Sequence, residues 1–163
     1  MGTLRLIVAV LCAALLSQFP AFSDQYVQRL GGQVDALSLV AQEFDDSAHR
    51  AGLDRAAALA DLSRGGSFGD AHSGDMAAAF ARLDRARADL VLLRAAGPLE
   101  RMALVQRLRD APTLRATWQD FAPAVPVTRS GVIAAAIGLI LGWLVSGLLL
   151  SLVPRRRDRL GWR

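Results

Sequence analysis

Residues 132–153 read VIAAAIGLILGWLVSGLLLSLV, 22 residues without a charge, followed by Pro154 and the basic cluster Arg155, Arg156 and Arg157. At 1.5 Å per residue such a helix spans about 33 Å, enough to cross a hydrocarbon core about 30 Å thick. A soluble domain of this size has little use for so long an unbroken apolar helix, so the reading is a membrane span. Within it Ala134, Gly138, Gly142 and Ser146 recur every four residues. A stripe of small residues lets another helix backbone approach closely, which is how helices associate in lipid. Trp143 falls near mid-membrane, away from the interfacial belt where tryptophan concentrates, and is expected against protein rather than lipid.

A second apolar stretch opens the chain. Residues 6–22 read LIVAVLCAALLSQFPAF behind Arg5, with a ladder of their own in Ala9, Ala13 and Ser17. The two ladders can face each other within one chain, or the second can face a copy or a partner. Seventeen residues with Pro20 among them are short for a span, and the layout also suits a secretory signal, with Ala21 and Ser23 before a cleavage site. The bulky Phe19 and Phe22, and helical patterning that runs straight on, favour an uncleaved anchor. Cys12, the single cysteine, lies inside this segment, so no intramolecular disulfide can form.

Charge sets the topology. All 19 basic residues are arginine, and residues 24–129 hold 13 of them against 14 acids. The excess lies in Arg5 and in the tail after Pro154, as the positive-inside bias requires of cytoplasmic flanks. Both termini are therefore expected in the cytoplasm and residues 24–129 in the periplasm; the alanine-, arginine- and leucine-rich composition without lysine suits a GC-rich bacterium. A nucleic-acid-binding face would need the excess on the central domain, where it is absent, and no nucleic-acid partner is expected.

The central domain reads as helical throughout. Val27, Leu30, Val34, Leu37, Ala41 and Phe44 make a seam in steps of three and four, ending near Ala48. Gly31 and Gly32 lie inside it, where the helix must bend or another backbone come close. A shorter helix is expected from Leu53 to Ser63, then a glycine-rich loop from Arg64 to Gly74. Met76, Ala79, Leu83, Ala86, Leu90 and Leu93 form a second seam, which with the first suggests an antiparallel helical hairpin. Pro98 can begin a further helix to about Arg109, anchored by Leu99, Met102, Val105 and Leu108. A last short helix, Thr113 to Phe121, carries Trp118, and Ser130 can cap the final span.

Chemistry is sparse. His49 follows Asp45 by four positions, a routine pairing on a solvated helix face. Asp70, His72 and Asp75 on the expected loop are the candidate metal ligands. No zinc-binding, nucleophile-elbow or phosphate-loop motif occurs, so no catalytic residue and no cofactor are expected.

Three stretches carry a family resemblance: LLSQFPAFSDQYVQRLGGQVDAL (Leu15–Leu37), AAGPLERM (Ala95–Met102) and WQDFAPAVPVTRSGV (Trp118–Val132). They resemble the bacterial membrane-protein family called domain of unknown function 2937. The resemblance implies two terminal apolar segments, an uncleaved start and a helix continuous through SQFP, and it implies no activity. The expectation is an all-α inner-membrane protein: an anchor at 1–23, a periplasmic domain at 24–129, a span at 130–153 and a basic tail at 154–163. Its expected role is non-enzymatic, an accessory or scaffolding protein associating with itself or a larger membrane complex. The alternative is a membrane-anchored periplasmic module that binds a ligand or metal.

Overall fold

In a computed structural model the described residues (2–123, 125 and 127–152) are helical without a strand. They form α1 (Gly2–Arg50), α2 (Arg55–Ser63), α3 (Gly66–Ala95), a 3-10 helix (Glu100–Arg107), α4 (Ala111–Asp120) and α5 (Arg129–Leu152). The described residues of 1–21 and 122–163 make one compact unit, and residues 22–121 make a second. Arg155, Arg156 and Arg157 lie outside the described residues. Helix α1 runs unbroken through Pro20, which removes one backbone donor from the helix ladder without ending it.

The first unit pairs the start of α1 with α5. These are two candidate membrane-spanning helices, with windows of mean hydropathy 2.0 and 2.4. Only 22% of each window is buried within the structure, unlike the core helix of a soluble protein. What is buried is the two ladders: Ala9 and Ala134 completely, Ser17 and Ser146 nearly so, with Gly138 and Gly142 also covered. A Cβ at Gly138 would stand 2.5 Å from the Cys12 carbonyl oxygen and 2.8 Å from Ala13 Cα. One at Gly142 would stand 2.8 Å from Ala9 Cα. The glycines thus press on backbone, and the ladder of α5 is filled by the ladder of its own chain. Moving forward along α5 means moving back along α1, so the pair is antiparallel. Toward the end of α5 the Arg5 guanidinium lies 4.8 Å from the Trp143 ring centroid and against Gly147. Trp143 still exposes 44% of its surface, so Arg5 covers only part of the ring that the sequence placed against protein. Thr128 caps α5, its hydroxyl oxygen accepting the Gly131 N–H at 3.1 Å, and Ser130, the residue expected to do so, is already inside the helix.

In the second unit both seams turn inward: Val27, Leu30, Val34 and Ala41 on α1 and Leu83, Ala86, Leu90 and Leu93 on α3 are buried, while Leu37, Phe44, Met76 and Ala79 are half-buried. Phe44 meets Phe80 edge-on at 5.3 Å, the Arg87 guanidinium donates to Ser38 Oγ at 2.7 Å, and Arg101 pairs with Asp24. At Gly31 the approaching group is the Arg94 guanidinium, 2.7 Å from where a Cβ would sit, and no backbone comes close; Gly32 faces open space.

The expected loop at Arg64–Gly74 is the largest correction. It is the first turns of α3, and the chain reverses in Gly65 and Gly66, the latter at φ +87°. The glycines serve contact between helices: a Cβ on Gly69 would collide with the Leu62 carbonyl, and Ser73 Oγ donates to Leu59 O at 2.9 Å. A second correction concerns residues 98–109, where a 3-10 helix with a break at Leu104 replaces the expected α-helix. The anchors Leu99, Met102, Val105 and Leu108 are spaced by threes throughout, the period of a 3-10 helix. Of these Leu108 is buried and Val105 is 57% exposed.

These contacts separate glycines that matter from glycines that do not. Gly69→Ala is expected to lower the protein's thermal stability, because the new methyl meets backbone that cannot turn aside. Gly74→Ala, in the same helix with open space around it, is expected to raise stability by about 0.5–1 kcal/mol. Thermal unfolding of the two variants beside the parent checks both signs.

Candidate functional site

The second unit has a polar centre, built around a carboxylate in its core. Asp89 lies three residues after Ala86 and four before Leu93, on the buried face of α3, and is only 3% exposed. A carboxylate there needs compensation. Two arginines provide it, one ending the 3-10 helix and one between that helix and α4: Arg109 Nε donates to Oδ2 at 2.7 Å, and Arg107 Nη1 to Oδ1 at 3.2 Å. Both arginines reach solvent while the carboxylate does not.

Asp110 begins α4 and caps it, accepting from the Thr113 N–H at 3.2 Å and the Thr113 hydroxyl at 2.6 Å. The Arg82 guanidinium grips the same carboxylate with two parallel bonds of 2.8 Å, the strong bidentate form. These bonds, Arg82's first, hold Asp110 down at about 2 against the opposing effect of burial. The Asp110 N–H in turn donates to the hydroxyl of Tyr26 at 3.1 Å. Tyr26 is wholly buried, and burial pushes its phenol above the usual tyrosine value, so it keeps its proton at neutral pH.

Tyr26, Arg82, Asp89, Arg109 and Asp110 line a cavity of about 330 Å³ with Leu30, Arg85, Ala86, Ala111 and Pro112. That volume lies at the lower end of the range for small-molecule sites, about 300–1,000 Å³. Both carboxylates are committed to arginines, and Arg85 alone of the lining arginines makes no ion pair among the described residues. A carboxylate held at about 2 is ionised and fully engaged at neutral pH, a poor proton carrier. The arrangement suits binding through fixed charges.

None of the polar residues of this site stood out in the sequence, although Asp89 on the buried stripe of a seam was a readable signal. Asp70, His72 and Asp75 are all exposed on α3, where the hundred-degree turn per residue spreads them around the helix. His72 stacks on Phe68 at 5.9 Å, and no group of three or more possible metal ligands occurs among the described residues. Ala9, Ala13, Ser17, Ala134, Gly138, Gly142 and Ser146 come together in the first unit, and Arg5 lies over Trp143 there.

The chain belongs to the family described as protein of unknown function (DUF2937), which matches it over residues 1–159. No curated protein and no solved structure matches the chain.

Removing one partner of a buried ion pair strands the other. Asp89→Ala is expected to cost about 3 kcal/mol, the low end for such pairs because its arginines reach solvent, as read by chemical denaturation. Asp110 has its pKa depressed in the folded state, so its contribution is present above about 4, the ordinary carboxylate range, and is lost as pH falls toward 2. Asp110→Asn is expected to be less stable than the parent at pH 7 and to lose less stability between pH 4 and 2.

Proposed function

We propose that this member of the DUF2937 family is a non-enzymatic bacterial inner-membrane protein that binds a small ligand in the helical unit, residues 22–121. The start of α1 and α5 are its membrane anchor. With Arg5 and the tail arginines on the cytoplasmic side, residues 24–129 lie in the periplasm. The pairings of Phe44 with Phe80 and Ser38 with Arg87 support reading α1 and α3 as an antiparallel helical hairpin.

The observation that carries this reading is the cavity of about 330 Å³ beside the Asp89 and Asp110 ion pairs. The sequence favoured an accessory or scaffolding role first and a binding module second. The order now reverses, because the Gly138 and Gly142 stripe, the main motive for association, is filled by the same chain's Ala9, Cys12 and Ala13. An accessory role remains open to the outer faces of both units, with no contact to recommend one partner.

The test is thermal stability of the full-length protein in nanodiscs across a panel of small metabolites and divalent metals, since a ligand that binds only the folded state stabilises it. A shift of several degrees that disappears in Ala111→Trp, which fills the cavity from an exposed position, is the expected result. No shift across the panel, with a partner protein copurifying at fixed ratio, would return the accessory role to first place. A fluorescent reporter that matures only in the cytoplasm should light up when fused to the C-terminus; a dark fusion of full length contradicts the topology.

A further inference from the structure

If the cavity is a binding site, its lining also specifies the charge of what it binds. Asp110 is saturated by Arg82 and Thr113, and Asp89 by Arg107 and Arg109. A cationic ligand would find no free carboxylate there and would meet Arg85, whose charge is unopposed among the described residues. The Tyr26 hydroxyl accepts from the Asp110 N–H, and with its side chain wholly buried it presents no surface to a ligand. The remaining wall is apolar: Leu30, Ala86, Ala111 and Pro112. One uncommitted cation and an apolar wall describe a ligand with a single negative charge and a hydrocarbon body.

We propose that the cavity takes a small organic carboxylate, its charge met by Arg85 and its apolar body by Ala111 and Pro112. The proposal rests on the binding-module reading above and adds the ligand's chemistry to it. A polyanion fits less well, because the other lining arginines already spend their charge on Asp89 and Asp110. Charge-assisted hydrogen bonds carry about twice the strength of neutral ones, so the carboxylate should be the chief source of affinity.

The test uses the full-length protein in nanodiscs of zwitterionic lipid and isothermal titration with four probes: benzoate, its neutral isostere benzamide, the cation benzamidine, and inorganic phosphate. Benzoate is expected to bind, more weakly as salt rises, and tighter than the other three. Arg85→Gln should weaken benzoate about tenfold or more, which equals 1.4 kcal/mol, and Arg85→Lys should restore part of the loss. Arg85 is exposed, so neither change threatens the fold. Benzamide or benzamidine binding as tightly as benzoate would overturn the anion assignment while leaving the binding module intact. Phosphate binding tighter than benzoate would overturn the apolar body. Benzoate binding unchanged in Arg85→Gln would remove Arg85 from the site. No binding by any probe overturns the carboxylate proposal, and the wider metabolite panel then decides separately whether the module binds anything.

Discussion

Helix α5 can lie against α1 only because Gly138 and Gly142 have no side chains. Atoms of Cys12, Ala13 and Ala9 occupy the space a Cβ would need, and several of them are backbone that cannot rotate away. In lipid, helices gain little from burying apolar surface against one another, so close packing of this kind is the main thing that holds a pair together. The consequence reaches beyond the pair. A small-residue stripe already filled by its own chain is not available to a second copy, and the outward surface of the two helices is large aliphatic side chains such as Leu11, Leu15, Ile140 and Leu144.

The helical unit follows a different logic. Its seams are ordinary apolar stripes, but α3 interrupts its stripe with Asp89, and the chain then supplies Arg107 and Arg109 to answer it. Asp110, next in sequence, caps α4 and takes Arg82. A short run of residues, 107–110, thereby fastens the 3-10 helix and α4 to α3, and through the Tyr26 hydroxyl to α1. Buried pairs of this sort are weak grounds for stability, since apolar residues of similar volume do as well. Their value here is positional: they fix charged groups around a cavity and leave one of its arginines, Arg85, without an ion pair among the described residues.

Much of this was legible in sequence. The 22-residue uncharged run gave the span by its length, and the two ladders and the seams at Val27–Phe44 and Met76–Leu93 gave the packed faces by their periods, while the partner of the ladders stayed open. Two segments misled for the same reason: local composition was read without its packing. SRGGSFG looks like a loop because glycine is a poor helix former, yet Gly69 is needed where α3 passes the Leu62 carbonyl. The residues around Leu104 look like an α-helix because apolar anchors recur, although spacing by threes belongs to the 3-10 form. The polar centre was missed because its members, Tyr26, Arg82, Asp89 and Asp110, are scattered along the chain, and single-sequence reading sees spacing rather than approach.

The central structural claim is that the terminal helices close on each other within one chain, and the lone cysteine allows a direct measurement. Cys12 lies on that contact, its Sγ 3.0 Å from where a Cβ at Gly142 would sit. The parent protein is oxidised in native membranes and run under non-reducing conditions after blocking free thiols. The account predicts a monomer with Cys12 still reduced, because α5 of the same chain covers it. A dimer linked through Cys12 would show that the ladder faces a second copy, and the reading of a self-contained anchor would be wrong.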